Sequence, residues 1–173
     1  MSYSLHHPPH LFFDDSWYFV TARTVDGQPF IKKDQHKNYW VQTIEGLSAT
    51  MNIKLTAWVV LNNHYHMLVF LSDALILPNF IRRLHGNISY YINKHDLCPG
   101  RQLCHNYWDR IIRNELEFWT KFNYIHYNPV KHGYVINPGD WIFSTYNSYL
   151  QSKGEGWMAD CFQSYPVVEF DFE

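Results

Sequence analysis

Residues 57–71 read AWVVLNNHYHMLVFL. Two apolar runs, 57–61 and 67–71, flank Asn62-Asn63 and then His64-Tyr65-His66. Their β-branched and aromatic content makes both runs strands. The Asn pair makes the joint a hairpin turn, because Asn tolerates the positive φ that tight hairpin loops demand. Side chains alternate faces along a strand, so His64 and His66 point the same way, with Cα atoms about 6.5–7 Å apart. Two imidazoles held like this are a workable pair of donors for one metal ion. The plainer alternative is two half-exposed polar residues at a strand start.

Outward from the hairpin, the chain alternates strand and helix signals. Residues 17–24, WYFVTART, are strand-like, and 25–29, VDGQP, form a turn. Asp34 is expected to cap a helix running to about residue 52, because Trp40, Ile44, Leu47 and Met51 fall on one helical face. A second helix opens at Leu77-Pro78. Its Ile81, Leu84, Ile88, Tyr91 and Ile92 share a face, leaving Arg82, Arg83 and Lys94 off it. Residues 107–113 read as the fourth strand. Asn114 and Glu117 have capping-box spacing at the start of a third helix, which Pro129 is expected to stop. The order β-α-β-β-α-β-α is solved most simply by a ferredoxin-like α+β sandwich, an antiparallel sheet with helices packed on it. Pro8-Pro9 make residues 1–15 a flexible arm. Residues 16–150 form one domain, and 151–173 are a tail of low apolar periodicity.

The 46% hydrophobic and 18% aromatic content excludes a disordered chain. No stretch reaches the length of a membrane span, and no signal peptide precedes the three cysteines, so a reduced, cytoplasmic protein is expected. A net charge of −2 argues against chain-wide affinity for nucleic acid. Residues 82–131 nevertheless carry eight Lys/Arg against four Asp/Glu, so a local basic face is open. Within it, Arg82, Arg83, Lys94, Arg110, Arg113 and Lys131 are candidate phosphate ligands. On the third helix Tyr124 and Asn128 are four residues apart and share a face. If that face meets the histidines, a phenol and an amide oxygen join two imidazoles. A rival set, His95, Cys98, Cys104 and His105, has spacing that fits no common zinc module.

The His64-Tyr65-His66 element resembles the His-hydrophobic-His signature of single-tyrosine transposases. The wider chain is most similar to their REP-associated branch, through residues 17–24, the hairpin, LPNFIRRLHGNISYYINK (77–94), YWDRIIRNE (107–115) and YIHYNPVKHGYV (124–135). It departs from the pattern at Asn62, where Pro is common, and at Tyr134, where Leu is usual. The resemblance implies the same fold and a metal-dependent single-strand DNA endonuclease and strand-transferase. His64, His66 and Asn128 would hold Mg²⁺ or Mn²⁺. Tyr124 would be the nucleophile, leaving a 5′-phosphotyrosine beside a DNA hairpin. The expected partner is single-stranded or hairpin DNA, with no membrane, acting as a monomer or homodimer. The alternatives are a replication-initiator-like nickase, a non-catalytic nucleic-acid-binding module, and a small metallohydrolase that would not need Tyr124.

Overall fold

The structure, a computed structural model, describes residues 10–168. Strands β1 (Ser16–Thr24), β2 (Lys54–Val60), β3 (His64–Leu71) and β4 (Cys104–Ile111) form one sheet of order β2-β3-β1-β4. Every neighbouring pair is antiparallel. Helix α1 (Asp34–Thr50) joins β1 to β2, α2 (Ile76–His95) joins β3 to β4, and α3 (Glu115–Lys131) follows β4. This is the expected ferredoxin-like topology.

The alternation of strand side chains divides the core in two. Tyr18, Val20, Tyr65, Met67 and Val69 pack with Trp40 and Ile44 of α1 and with Leu84 and Ile88 of α2. Phe19, Val59 and Leu68, from the other face, pack with Phe122, Tyr124 and Ile125 of α3. The sheet is therefore covered on both faces, and each fully buried large apolar side chain stabilises it by about 1.5–3 kcal/mol.

Several local expectations need correction. Lys33, not Asp34, precedes α1, and it makes no side-chain cap. β4 begins at Cys104, because pairing with Thr24 extends it beyond its aromatic segment. Pro129 lies inside α3 and does not end it. Proline removes one backbone donor, but burial of Asn128 and Pro129 holds the turn in place. The helix stops two residues later, where Gly133 takes φ 69°. Gly133 N–H donates to Val130 O and Tyr134 N–H to Pro129 O, both at 2.9 Å, which is a Schellman closure.

The boundary expected at residue 150 falls inside a fourth helix, α4 (Tyr146–Lys153), and α5 (Glu155–Ser164) follows it. Asn123 of α3 donates to Cys161 O and Tyr165 O, both at 2.8 Å, tying this region to the domain. Before α4, Val60 N–H donates to Phe143 O at 2.9 Å, so the incoming segment covers the open edge of β2. Of the expected N-terminal arm, residues 1–9 lie outside the described residues. His10 pairs with Asp109 and stacks on Tyr107. No described helix is long and apolar enough to cross a membrane.

A half-buried histidine, His85, and a buried one, His126, make stability depend on pH. Burial pulls His85 down to about 4 and His126 down to about 3. Their unfolded value is near 6.5, so as pH falls from there the unfolded chain binds protons that the folded chain refuses. Their contribution is thus intact above pH ~6.5 and is lost progressively toward acid. The thermal midpoint is expected to fall steeply between pH ~6.5 and ~4. Midpoints that stay level across that window in a calorimetric series would contradict the burial of these rings.

Candidate active site

The hairpin that carries the histidines is closed by contacts rather than by backbone strain. Neither Asn62 nor Asn63 takes a left-handed φ. Ile31 N–H donates to Asn62 O at 2.9 Å, Thr24 N–H donates to Asn63 O at 2.8 Å, and Asn63 Nδ2 donates to Gly27 O at 3.0 Å. The β1 end and its turn thereby clamp the tip. His64 and His66 do share a face, with ring centroids 5.1 Å apart, and both are buried.

That face is the one α3 covers. The Tyr124 ring meets the His66 ring edge-on at 5.4 Å and Phe19 at 6.0 Å. Asn128, one turn later, puts Oδ1 3.1 Å from His64 Nε2. His132, one turn later again, packs its ring 4.8 Å from that of His64. Lys131 Nζ donates to the Tyr124 hydroxyl at 3.4 Å. Tyr127 is rotated away and lines a separate groove with Tyr146 and Phe162. His64, His66, Tyr124 and Asn128 come together within one chain.

The electrostatics favour neutral imidazoles. Burial first, then the charges of Lys121, His132 and Lys131, lower His66 to about 3. Burial, Lys131 and Arg23 also lower His132. Lys121 is itself buried, its ammonium 4.4 Å from the Phe19 ring centroid and 5.6 Å from that of Tyr124. Two lysine ammoniums thus stand beside the phenol.

The donor chemistry fits a divalent ion. Asn63 spends its Nδ2 on Gly27 O, so its Oδ1 accepts from His64 Nδ1–H at 2.7 Å. A neutral His64 then aims its Nε2 lone pair at another acceptor, Asn128 Oδ1. A cation held by both atoms would remove that conflict. His64 Nε2 and Asn128 Oδ1, 3.1 Å apart, are close enough that both would hold one divalent ion. His66 Nδ1 lies 2.7 Å from Thr21 Oγ1, an outer contact that fixes the ring. Among the described residues no group of three or more His, Cys, Asp or Glu could hold a metal. The described members of the rival set, His95, Cys98 and Cys104, form no such group, and burial pushes the Cys104 thiol up to about 12.

The expected phosphate ligands are not gathered on one face. Arg82, Arg83 and Lys94 are exposed on α2, across the sheet from the histidines. Arg110 pairs with Glu117 at 2.8 Å, and Arg113 stands at the opposite end of α3 from Asn128. Only Lys131 reaches the site. Sequence reasoning missed Thr21, Arg23, Trp108, Lys121, His132 and Tyr134. His132 was hidden by the expected stop at Pro129; α3 instead runs to Lys131, and His132 caps it one turn beyond Asn128. Thr21 and Arg23 were not, because strand register puts them opposite His66 and His64. The C-terminal Trp141 and Tyr149 bond to Val60 O and Thr56 O.

Comparison with known proteins places this geometry. The chain is 30% identical over 95 residues to the REP-associated tyrosine transposase of Escherichia coli (strain K12), covering 54% of each protein. It is 42% identical over 104 residues to a Haemophilus influenzae protein named for the same group, covering 54% of this chain and 59% of the relative. The matches thus span little more than half the length of these relatives. A solved REP-associated tyrosine transposase bound to a REP hairpin superposes with a TM-score of 0.75 at 20% identity, over 96% of both chains, which establishes the shared fold. The family model "Transposase IS200 like" matches residues 14–111, from β1 through β4 with both hairpin histidines and ending before α3. A match over more than half of the chain, on the elements that build the histidine face, makes this protein a member of the IS200-like transposase family.

Proposed function

We propose that this chain cuts single-stranded DNA beside a hairpin and rejoins the ends through a covalent bond to Tyr124. The carrying observation is the Tyr124 ring packed against His66, on the face shared by His64 and Asn128. In the step, the phenol oxygen bonds to the scissile phosphorus as the phosphorus–O3′ bond breaks. The phenol gives up its proton and the departing 3′ oxygen takes one up. The product is a 5′-phosphotyrosine and a free 3′-OH. The phosphodiester's free energy stays in the tyrosyl link, so the reverse attack by a 3′-OH needs no nucleotide triphosphate.

A free phenol, with a pKa near 10, is a poor nucleophile at neutral pH. Lys131 and Lys121 stand beside it, and packing between Phe19 and His66 fixes its direction. His64, His66 and Asn128 would hold Mg²⁺ or Mn²⁺, and such an ion, when bound, supplies Lewis-acid polarisation of a phosphoryl oxygen. Hairpin DNA as the substrate rests on family membership together with the hairpin carried by the structural relative.

The test is equilibrium binding without metal. A hairpin with a single-stranded extension is expected to bind at least about tenfold more tightly than a blunt duplex of equal length. Log affinity should fall with log salt by about 0.7–0.9 per phosphate neutralised. Equal or tighter binding of blunt duplex contradicts the proposal.

A further inference from the structure

Beside the histidines lies a pocket of about 510 Å³, bordered by His64, Arg23, Trp108, His132 and Tyr134. That volume lies within the range of about 300–1,000 Å³ typical of small-ligand sites. We propose that it receives one unpaired nucleotide of the DNA, next to the phosphate attacked by Tyr124. The base stacks on Trp108 and the nucleotide's phosphate pairs with Arg23. The assignment rests on the function proposed above and adds where the strand is gripped.

Trp108 carries the argument. It pairs with Thr21 across the β1–β4 ladder, so its indole projects from the face that carries His66. α3 covers Trp17 and Phe19 at one end of β1, and the pocket opens at the other end, beside Thr21, Arg23 and Trp108. Trp17, Trp40, Trp119, Trp141 and Trp157 all contact other aromatic rings, and Trp58 is buried in the core. Trp108 is half-buried, and its indole makes no ring contact, hydrogen bond or ion pair with the described residues. A rigid indole held on a pocket wall without a protein partner is suited to the π-face of a base.

Arg23 supplies the charge. It is exposed, opposite His64 in the β1–β3 register, and forms no ion pair among the described residues. Its guanidinium lies against Gly27, whose φ is 65°, and a Cβ at that glycine would meet Arg23 Nη2 at 2.9 Å. A side chain at Gly27 would be strained by that φ and would push the exposed guanidinium aside. A guanidinium presents the fork geometry of phosphate recognition. Stacking tolerates any base, so the pocket would grip the strand without choosing its sequence.

The test uses the full chain, chelator to prevent cleavage, and a hairpin with a single-stranded extension. 5-Iodouracil is placed at each unpaired position in turn. Irradiation is expected to cross-link one position to Trp108, identified by peptide mass spectrometry. Trp108→Leu should weaken binding of the extended hairpin by about 5- to 150-fold, the range of one stacked base. It should leave the blunt hairpin unchanged, and Trp108→Phe should restore most of the loss. Arg23→Gln should reduce the salt slope by about one phosphate. Circular dichroism confirms that each variant is folded. If no position cross-links to Trp108, or if Trp108→Leu weakens both hairpins equally, the subsite is wrong. Should that happen while wild-type protein still forms a covalent adduct with DNA, only the subsite falls. If wild-type protein forms no adduct, the proposed function falls with it.

Discussion

Tyr124→Phe is expected to abolish the covalent protein–DNA species that the unaltered chain forms with a labelled hairpin oligonucleotide and Mn²⁺ in a denaturing gel. The substitution removes one oxygen. The ring keeps its contacts with Phe19 and His66. What is lost to stability is the Lys131–phenol hydrogen bond, on the order of 1 kcal/mol. Removing a nucleophile, by contrast, costs on the order of 10⁴-fold or more in rate. A large chemical effect with a small change in stability separates a nucleophile from a packed core tyrosine. Tyr127→Phe is the control, because Tyr127 faces another groove. A non-catalytic binding module gives no adduct with any variant, and a metallohydrolase cleaves without labelling the protein. An adduct that persists in Tyr124→Phe and vanishes in Tyr127→Phe would keep the reaction class and overturn the residue.

His64→Ala and His66→Ala are each expected to reduce cleavage by more than the roughly 10–100-fold typical of an outer-contact loss, since each removes a donor outright. Excess chelator should do the same to the unaltered chain, with Mn²⁺ or Mg²⁺ restoring it. Both rings are buried, so each variant also leaves a cavity, and folding must be checked by calorimetry. Thr21→Val makes a gentler probe. It keeps shape but takes away the oxygen 2.7 Å from His66 Nδ1, and should weaken Mn²⁺ binding by about 10–100-fold. Titration calorimetry with Mn²⁺ reads this without DNA. Full activity of both alanine variants in chelator would exclude the metal reading.

Most of the sheet and its first three helices could be read along the chain, because their signals are local. Hydrophobic periodicity located β1, β2, β3, α1 and α2 to within a few residues. The failures have particular causes. Pro129 was read as a stop, yet packing around Asn128 and Pro129 outweighs one missing backbone donor. The last two helices have few buried residues, Met158 and Cys161 on α5 and none on α4, so there was little periodicity to detect. The basic surplus of residues 82–131 suggested one charged face. In the fold its members are divided between the two sides of the sheet, and Lys121 is buried beside Phe19.

Two relations in the site belong to the sequence itself. A strand repeats every two residues, so His64 and His66 had to share a face. A helix repeats every 3.6, so Tyr124 and Asn128 had to share a face. Covalent geometry fixes both, wherever the elements pack. Tertiary structure decided that the two faces meet, putting Asn128 Oδ1 3.1 Å from His64 Nε2. It also set the strand register that brings Thr21 to His66 and Arg23 to His64, and the burial that holds His66 neutral. Those outcomes depend on apolar surface buried between segments far apart in the chain, and no periodicity within one segment encodes which partner it will meet.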